Sequence, residues 1–130
     1  MKRILLVEDD WAAAMALTAR LNSAGYDVLT APGPAAGRAF AMACQPDLII
    51  TDIFMPTTDG LTFVSELKKE GFEKVPFIVV TASQRDGIWE KAIDLGAAAY
   101  FEKPYEGNRL LAAVAASFNR STSYQSNANL

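Results

Sequence analysis

The chain has 130 residues, 51% of them hydrophobic, a formal net charge of −3, one cysteine and no histidine. That length and apolar content fit a single domain with a sizeable core, and no apolar run is long enough to cross a bilayer. The missing histidine excludes a Ser-His-Asp triad, a histidine metal site and a phosphohistidine carried by this chain; the lone Cys44 excludes an intrachain disulfide; and without a basic cluster nucleic acid is not expected as a direct partner.

Lys2 to Val7 reads as a first strand, cut short by Glu8, Asp9 and Asp10, so it is not a secretory leader, and a cytoplasmic, reducing setting is expected. Trp11 to Ala24 reads as a helix stopped by Gly25, and Tyr26 to Thr30 as a short second strand. Gly33-Pro34 opens a second helix, with Ala36, Phe40 and Ala43 among its apolar positions and Pro46 closing it. Leu48 to Thr51 has the unbroken apolar and β-branched character of a strand buried on both faces, and it runs into Asp52. Pro56 and Gly60 then interrupt regular structure as turn residues. Taken alone, Asp52 reads equally well as a turn residue after a strand.

Asp59 is placed to cap a third helix with Leu61, Val64 and Leu67 on one face, ended by Gly71. Phe77 to Thr81 is a fourth buried strand, Gln84 to Leu95 a fourth helix stopped by Gly96, and Ala99 to Glu102 a short fifth strand followed by Lys103-Pro104. Asn108 to Phe118 is a last helix with Leu110, Leu111, Val114 and Phe118 inward. The domain is expected over residues 1–119, followed by a polar tail, 120–130, without periodicity and expected to be disordered.

Strands alternating with helices predict a parallel sheet covered on both faces: a doubly wound, flavodoxin-like (βα)5 fold with strand order 2-1-3-4-5. The switch point then lies between the first and third strands, which brings Glu8 and Asp9 beside Asp52. Such a cluster needs relief from its own repulsion, about 4 kcal/mol for two charges 4 Å apart at an effective dielectric near 20. Hard oxygen donors with access to water suit Mg2+, and Mn2+ is compatible with the same set. Thr81 and Lys103 follow at the neighbouring strand ends. A carboxylate nucleophile, a divalent cation, an ammonium and a hydroxyl together describe phosphoryl transfer to an aspartate.

VEDD after the first strand, DIFMPTTDG after the third, VVTAS at the fourth and YFEKP at the fifth resemble, in order and spacing, the receiver domain of two-component response regulators over residues 2 to 118. The resemblance implies that Asp52 is the phosphoacceptor. Asp9 would bind the metal directly, Glu8 through water, and the Phe54 backbone carbonyl would be a further ligand beside Asp52. Lys103 and Thr81 would bind the phosphoryl group, Tyr100 would be the switch aromatic, and the Lys103-Pro104 bond would be cis, making Pro104 a structural turn residue.

The phosphodonor implied is a histidine kinase or a histidine phosphotransfer protein. The output implied is a protein effector reading the face of helix four, strand five and helix five, by a monomer or a weak phosphorylation-dependent dimer. No membrane partner is expected. The side chains of Phe54 and Ser83 fall where the family borders the path of the hydrolytic water. Ala98-Ala99 replaces the acidic pair that winged-helix regulators often carry, so their charged dimer interface is not expected here.

Three alternatives differ in chemistry. A pseudo-receiver would be an interaction module without phosphotransfer, against which stands the intact set Glu8, Asp9, Asp52, Thr81 and Lys103. A flavodoxin-like nucleotide binder would need a Gly/Ser/Thr-rich loop where this chain has EDDW. A phosphatase with an aspartate nucleophile would place a second Asp where this chain has Phe54.

Overall fold

The computed structural model describes residues 1–82, 85 and 87–119. The polar tail, Ser83 and the expected start of helix four at Gln84 lie outside the described residues. Five strands, β1 (Arg3–Val7), β2 (Asp27–Ala31), β3 (Leu48–Thr51), β4 (Phe77–Thr81) and β5 (Ala99–Glu102), form one parallel sheet. Its order is β2-β1-β3-β4-β5, the arrangement expected from the sequence. Five helices, α1 (Trp11–Ser23), α2 (Pro34–Cys44), α3 (Gly60–Leu67), α4 (Ile88–Leu95) and α5 (Gly107–Phe118), connect and follow the strands.

The side-chain period of a strand is two, and here both phases are apolar. Ile4, Leu6, Leu48, Ile50, Ile78 and Val80 pack with Ala14, Leu17 and Leu21 of α1 and Leu110 and Val114 of α5. Leu5, Val7, Ile49, Phe77 and Val79 point the other way, onto Ala41 of α2, Phe63, Val64 and Leu67 of α3 and Ala92 of α4. Every residue of β3 and β4 is buried. Burying one such Leu, Ile or Val side chain stabilises the fold by about 1.5–3 kcal/mol, so these two central strands are the rigid platform on which the site rests.

Side-chain carboxylates cap three helices. Asp10 accepts from the Ala13 N–H at 3.2 Å, Asp59 from the Thr62 N–H at 2.7 Å, and Glu106 from the Asn108 and Arg109 N–H groups at 3.1 and 3.0 Å. Two details depart from the sequence expectation, the start of helix four and the inward face of α2. Helix four starts at Ile88, where Gly87 at φ 84° supplies a left-handed turn just before it. Gly71, at φ 106°, breaks the helical path beyond Leu67 as expected, and the chain turns there to the buried Phe72. On α2 the inward residues are Gly37 and Ala41, flanked by Ala36 and Phe40, whereas Ala43 is exposed. A Cβ at Gly37 would stand 3.0 Å from the Phe63 ring and 3.1 Å from Val7, so those side chains would have to give by a few tenths of an ångström to admit one.

Candidate functional site

The carboxyl ends of β1, β3 and β5 deliver the charged groups. β1 pairs with β3 in a register that sets Val7 beside Thr51, so Glu8 and Asp52 leave adjacent strands at the same level. The Asp52 N–H continues the ladder by donating to the Val7 carbonyl at 3.1 Å. β4 pairs with β5 so that Thr81 lies beside Glu102, and the Lys103 N–H donates to the Thr81 carbonyl at 2.8 Å. Topology alone therefore gathers residues separated by up to 95 positions at one edge of the sheet.

Carboxylate oxygens of Glu8, Asp9 and Asp52 lie within 4.8 Å of one another. Glu8 and Asp52 are buried, 4% and 7% exposed, while Asp9 faces solvent. Lys103 bridges the two buried acids. Its Nζ donates to Glu8 Oε1 in a short ion pair and to Asp52 Oδ2 at 3.3 Å. The second Glu8 oxygen accepts from the Asp10 N–H at 3.1 Å, and Asp52 Oδ1 accepts from the Ile53 N–H at 2.6 Å.

Burial is the largest influence on Glu8 and pushes its carboxyl above the ordinary range; the Lys103 and Asp10 hydrogen bonds oppose it, and the Asp52 charge adds to the rise. Burial works against the Lys103 ammonium, but its hydrogen bonds and the charges of Glu8 and Asp52 outweigh that and hold its pKa above the usual lysine value.

The chemistry of this donor set fits a small hard cation. Three carboxylates offer one oxygen each, and the exposed Asp9 leaves one side open to water, as an ion that keeps part of its hydration shell requires. Asp10 lies outside the cluster and serves as the α1 cap. Phe54 is half-buried against the α3–α4 side of the core, with the Arg85 guanidinium 4.1 Å from its ring centroid. Thr81 is fully buried, Tyr100 is half-buried against the same side of the core, and the Lys103-Pro104 peptide is cis. Pro56 lies in the loop between Asp52 and α3, and Gly60 is the first residue of that helix.

The sequence brings out the acids, the lysine and the hydroxyl but misses Thr51. That residue reads there only as the last β-branched position of a strand, yet its hydroxyl donates to the Asp52 carbonyl at 2.7 Å. The available signal was a hydroxyl inside a fully apolar run, since a buried hydroxyl needs a partner.

Removing the shared cation tests this electrostatic picture. In Lys103→Met, measured without divalent metal, the melting temperature is expected to fall by an amount equivalent to about 2 kcal/mol at pH 8, because two buried carboxylates lose their counter-ion. Glu8 has a raised folded pKa and in the variant loses Lys103, which lowers it, while the Asp10 N–H bond remains, so its native state holds a proton more tightly than the unfolded chain does. Its destabilising effect is full above the folded pKa and fades as pH falls through it. Lys103 contributes no slope there, because the stability it supplies is lost only above its raised, alkaline pKa. The gap between variant and wild type should therefore narrow from pH 8 to pH 5; a constant gap would contradict the assignment.

A family model described as the response regulator receiver domain matches residues 4–115. Among curated relatives, the chain is 36% identical to the DNA-binding dual master transcriptional regulator RpaA of Synechocystis sp., over 92% of this chain and 50% of that protein. It is 35% identical to the transcriptional regulatory protein PdtaR of Mycobacterium tuberculosis, over 92% of this chain and 58% of that one. The chain thus spans about half the length of these relatives. Among solved structures it resembles a CheY-like response regulator receiver domain protein from Methanospirillum hungatei, with a TM-score of 0.86 and 27% identity, covering 92% of this chain and 95% of the other. It also resembles the chemotaxis protein CheY4 of Vibrio cholerae, with a TM-score of 0.84 and 25% identity, covering 90% and 98%.

Proposed function

The chain belongs to the response regulator receiver domain family, and on that premise we propose that it is a phosphoacceptor switch whose Asp52 takes a phosphoryl group from a phosphohistidine on a histidine kinase or a histidine phosphotransfer protein. The observation that carries the reading is the convergence of Glu8, Asp9, Asp52 and Lys103 from three strand ends. In the proposed reaction an Asp52 carboxylate oxygen forms a bond to phosphorus while the phosphorus–nitrogen bond of the donor breaks, and the leaving imidazole keeps the electron pair and takes up a proton.

Asp9, Asp52 and the Phe54 carbonyl would hold Mg2+ or Mn2+ directly, with Glu8 acting through water. When bound, the ion supplies charge neutralisation at the phosphoryl oxygens. The engagement of both Glu8 oxygens, with Lys103 and the Asp10 N–H, supports its outer role. The Ile53 N–H orients the Asp52 carboxylate, and Lys103 stands on the Oδ2 side as a fixed positive charge for the incoming group.

Phosphorylation adds about two negative charges. Thr81 and Lys103 would meet them, joined already by the Lys103 N–H bond to the Thr81 carbonyl. Their shift would bias α4 and Tyr100 between two states, and a partner preferring one state would read the difference. The α4–β5–α5 face is the proposed reading surface, supported by Trp89 and Ile93, which are 54% and 43% exposed on α4. The proposed partners are proteins in the cytoplasm, and the chain acts as a monomer or a weak phosphorylation-dependent dimer. No helix among the described residues is long and apolar enough to cross a membrane.

The test is intact mass after incubation with a small phosphoramidate donor, with magnesium or with a chelator. One magnesium-dependent phosphoryl adduct, mapped to the peptide carrying Asp52, is expected. No adduct under either condition would overturn the proposal and leave a phosphate-independent interaction module.

A further inference from the structure

We propose that Thr51 is a positioning residue for phosphoryl transfer, acting through the Asp52–Ile53 peptide group; the inference rests on Asp52 being the phosphoacceptor. The Asp52 carbonyl and the Ile53 N–H are two ends of one planar unit. The Thr51 hydroxyl donates to the carbonyl end at 2.7 Å, and the N–H end donates to Asp52 Oδ1 at 2.6 Å. The nucleophile is thus steadied by its own following peptide, and that peptide is steadied by the residue before it.

The surroundings leave the hydroxyl little alternative. Thr51 is fully buried, and the first turn of α3 closes over the same carbonyl, with Gly60 so near that a Cβ there would stand 2.0 Å from the Asp52 oxygen. The next carbonyl, of Ile53, accepts from the Gly60 N–H at 2.7 Å. A bond accepted at the carbonyl also polarises the peptide and strengthens donation from its N–H. Fixing one peptide plane therefore fixes the carboxylate plane: Oδ1 is held by the backbone, and Oδ2 is presented on the Lys103 side. Without the hydroxyl, the peptide can rotate and the carboxylate loses its preset orientation, which transfer to a positioned acceptor depends on.

The test compares Thr51→Val, which keeps the shape and loses the hydroxyl, with Thr51→Ser, which keeps the hydroxyl and loses the methyl. Phosphorylation by a small phosphoramidate at saturating magnesium is expected to slow about five- to tenfold in Thr51→Val, the scale of one lost hydrogen bond, and to stay within about twofold of wild type in Thr51→Ser. In metal-free protein, the Ile53 amide proton resonance should move upfield in Thr51→Val and hold its place in Thr51→Ser. A packing role predicts the opposite ranking.

Equal rates for wild type and Thr51→Val, or a Thr51→Ser protein as slow as Thr51→Val, would overturn the proposal, as would an unmoved Ile53 resonance. Should Thr51→Val not fold, the Thr51→Ser and Thr51→Ala pair differs by the same hydroxyl and decides the question on the same readouts. Failure of wild type itself to form an adduct would instead strike at Asp52 as phosphoacceptor.

Discussion

Asp52→Asn is expected to take up no phosphoryl group under any donor or metal condition and, without divalent metal, to melt about 3–5 °C higher than wild type. The loss of chemistry follows from replacing the anionic carboxylate proposed as nucleophile by a neutral amide of the same shape. The fold should be untouched, because the asparagine carbonyl can still accept from the Ile53 N–H where Oδ1 now does at 2.6 Å. The rise in stability follows from counting charge. Three carboxylates stand together, with one oxygen of each no more than 4.8 Å from the others, and Lys103 pairs with two of them, Glu8 and Asp52. The substitution gives up the longer contact of Lys103, at 3.3 Å, and leaves its ion pair with Glu8. It also removes repulsion worth up to a few kcal/mol, reduced by the water that reaches Asp9, so the net gain is about 1 kcal/mol. Intact mass and calorimetry check both halves. An adduct on the variant would remove Asp52 as acceptor; a melting temperature at or below wild type would mean that Lys103 already neutralises the cluster.

Gly60→Ala is expected to cost about 3 kcal/mol or more and to slow phosphorylation along with it. The reason is contact rather than backbone torsion. An added Cβ would meet the Asp52 carbonyl oxygen at 2.0 Å, its carbon at 3.0 Å and the Thr51 hydroxyl at 2.9 Å. Two of these three are main-chain atoms at the end of a fully buried strand, so they cannot swing aside like the tip of a flexible side chain. Either α3 lifts from the sheet, uncovering Leu61 and Val64, or the Asp52 peptide turns and carries the carboxylate with it. Denaturant unfolding of Gly60→Ala measures the first effect and its rate of adduct formation the second. A midpoint within error of wild type would show that the loop has room the packing does not display.

The architecture was open to reading because its causes are local. Unbroken apolar and β-branched runs mark β3, between Asp47 and Asp52, and β4, opening after Pro76, and alternation of strand and helix restricts the topology to one common order. The convergence of Glu8, Asp9, Asp52 and Lys103 follows from strand ends, which topology fixes. Other features depended on non-local contact. Periodicity cannot show that Ala43 faces out while Gly37 sits against Phe63, since that depends on how α2 lies on the sheet. Nor does helical propensity before Ile88 reveal that Gly87 takes a left-handed turn. The bridging of two acids by one lysine, and the hydrogen bond of Thr51, depend on side-chain reach of a few ångströms that spacing along the chain does not encode.

The two tryptophans stand on different helices, α1 and α4. Trp11 opens α1 two residues beyond Asp9 and is 75% exposed, while Trp89 stands on the outer face of α4. Indole emission depends on local polarity and on quenching groups nearby. The molecule therefore carries an optical reporter beside its acidic pocket and another on its proposed reading surface, and single Trp→Phe exchanges would let each fluoresce alone. Events at the carboxylates and their arrival at α4 could then be timed separately in one stopped-flow trace, with no dye attached.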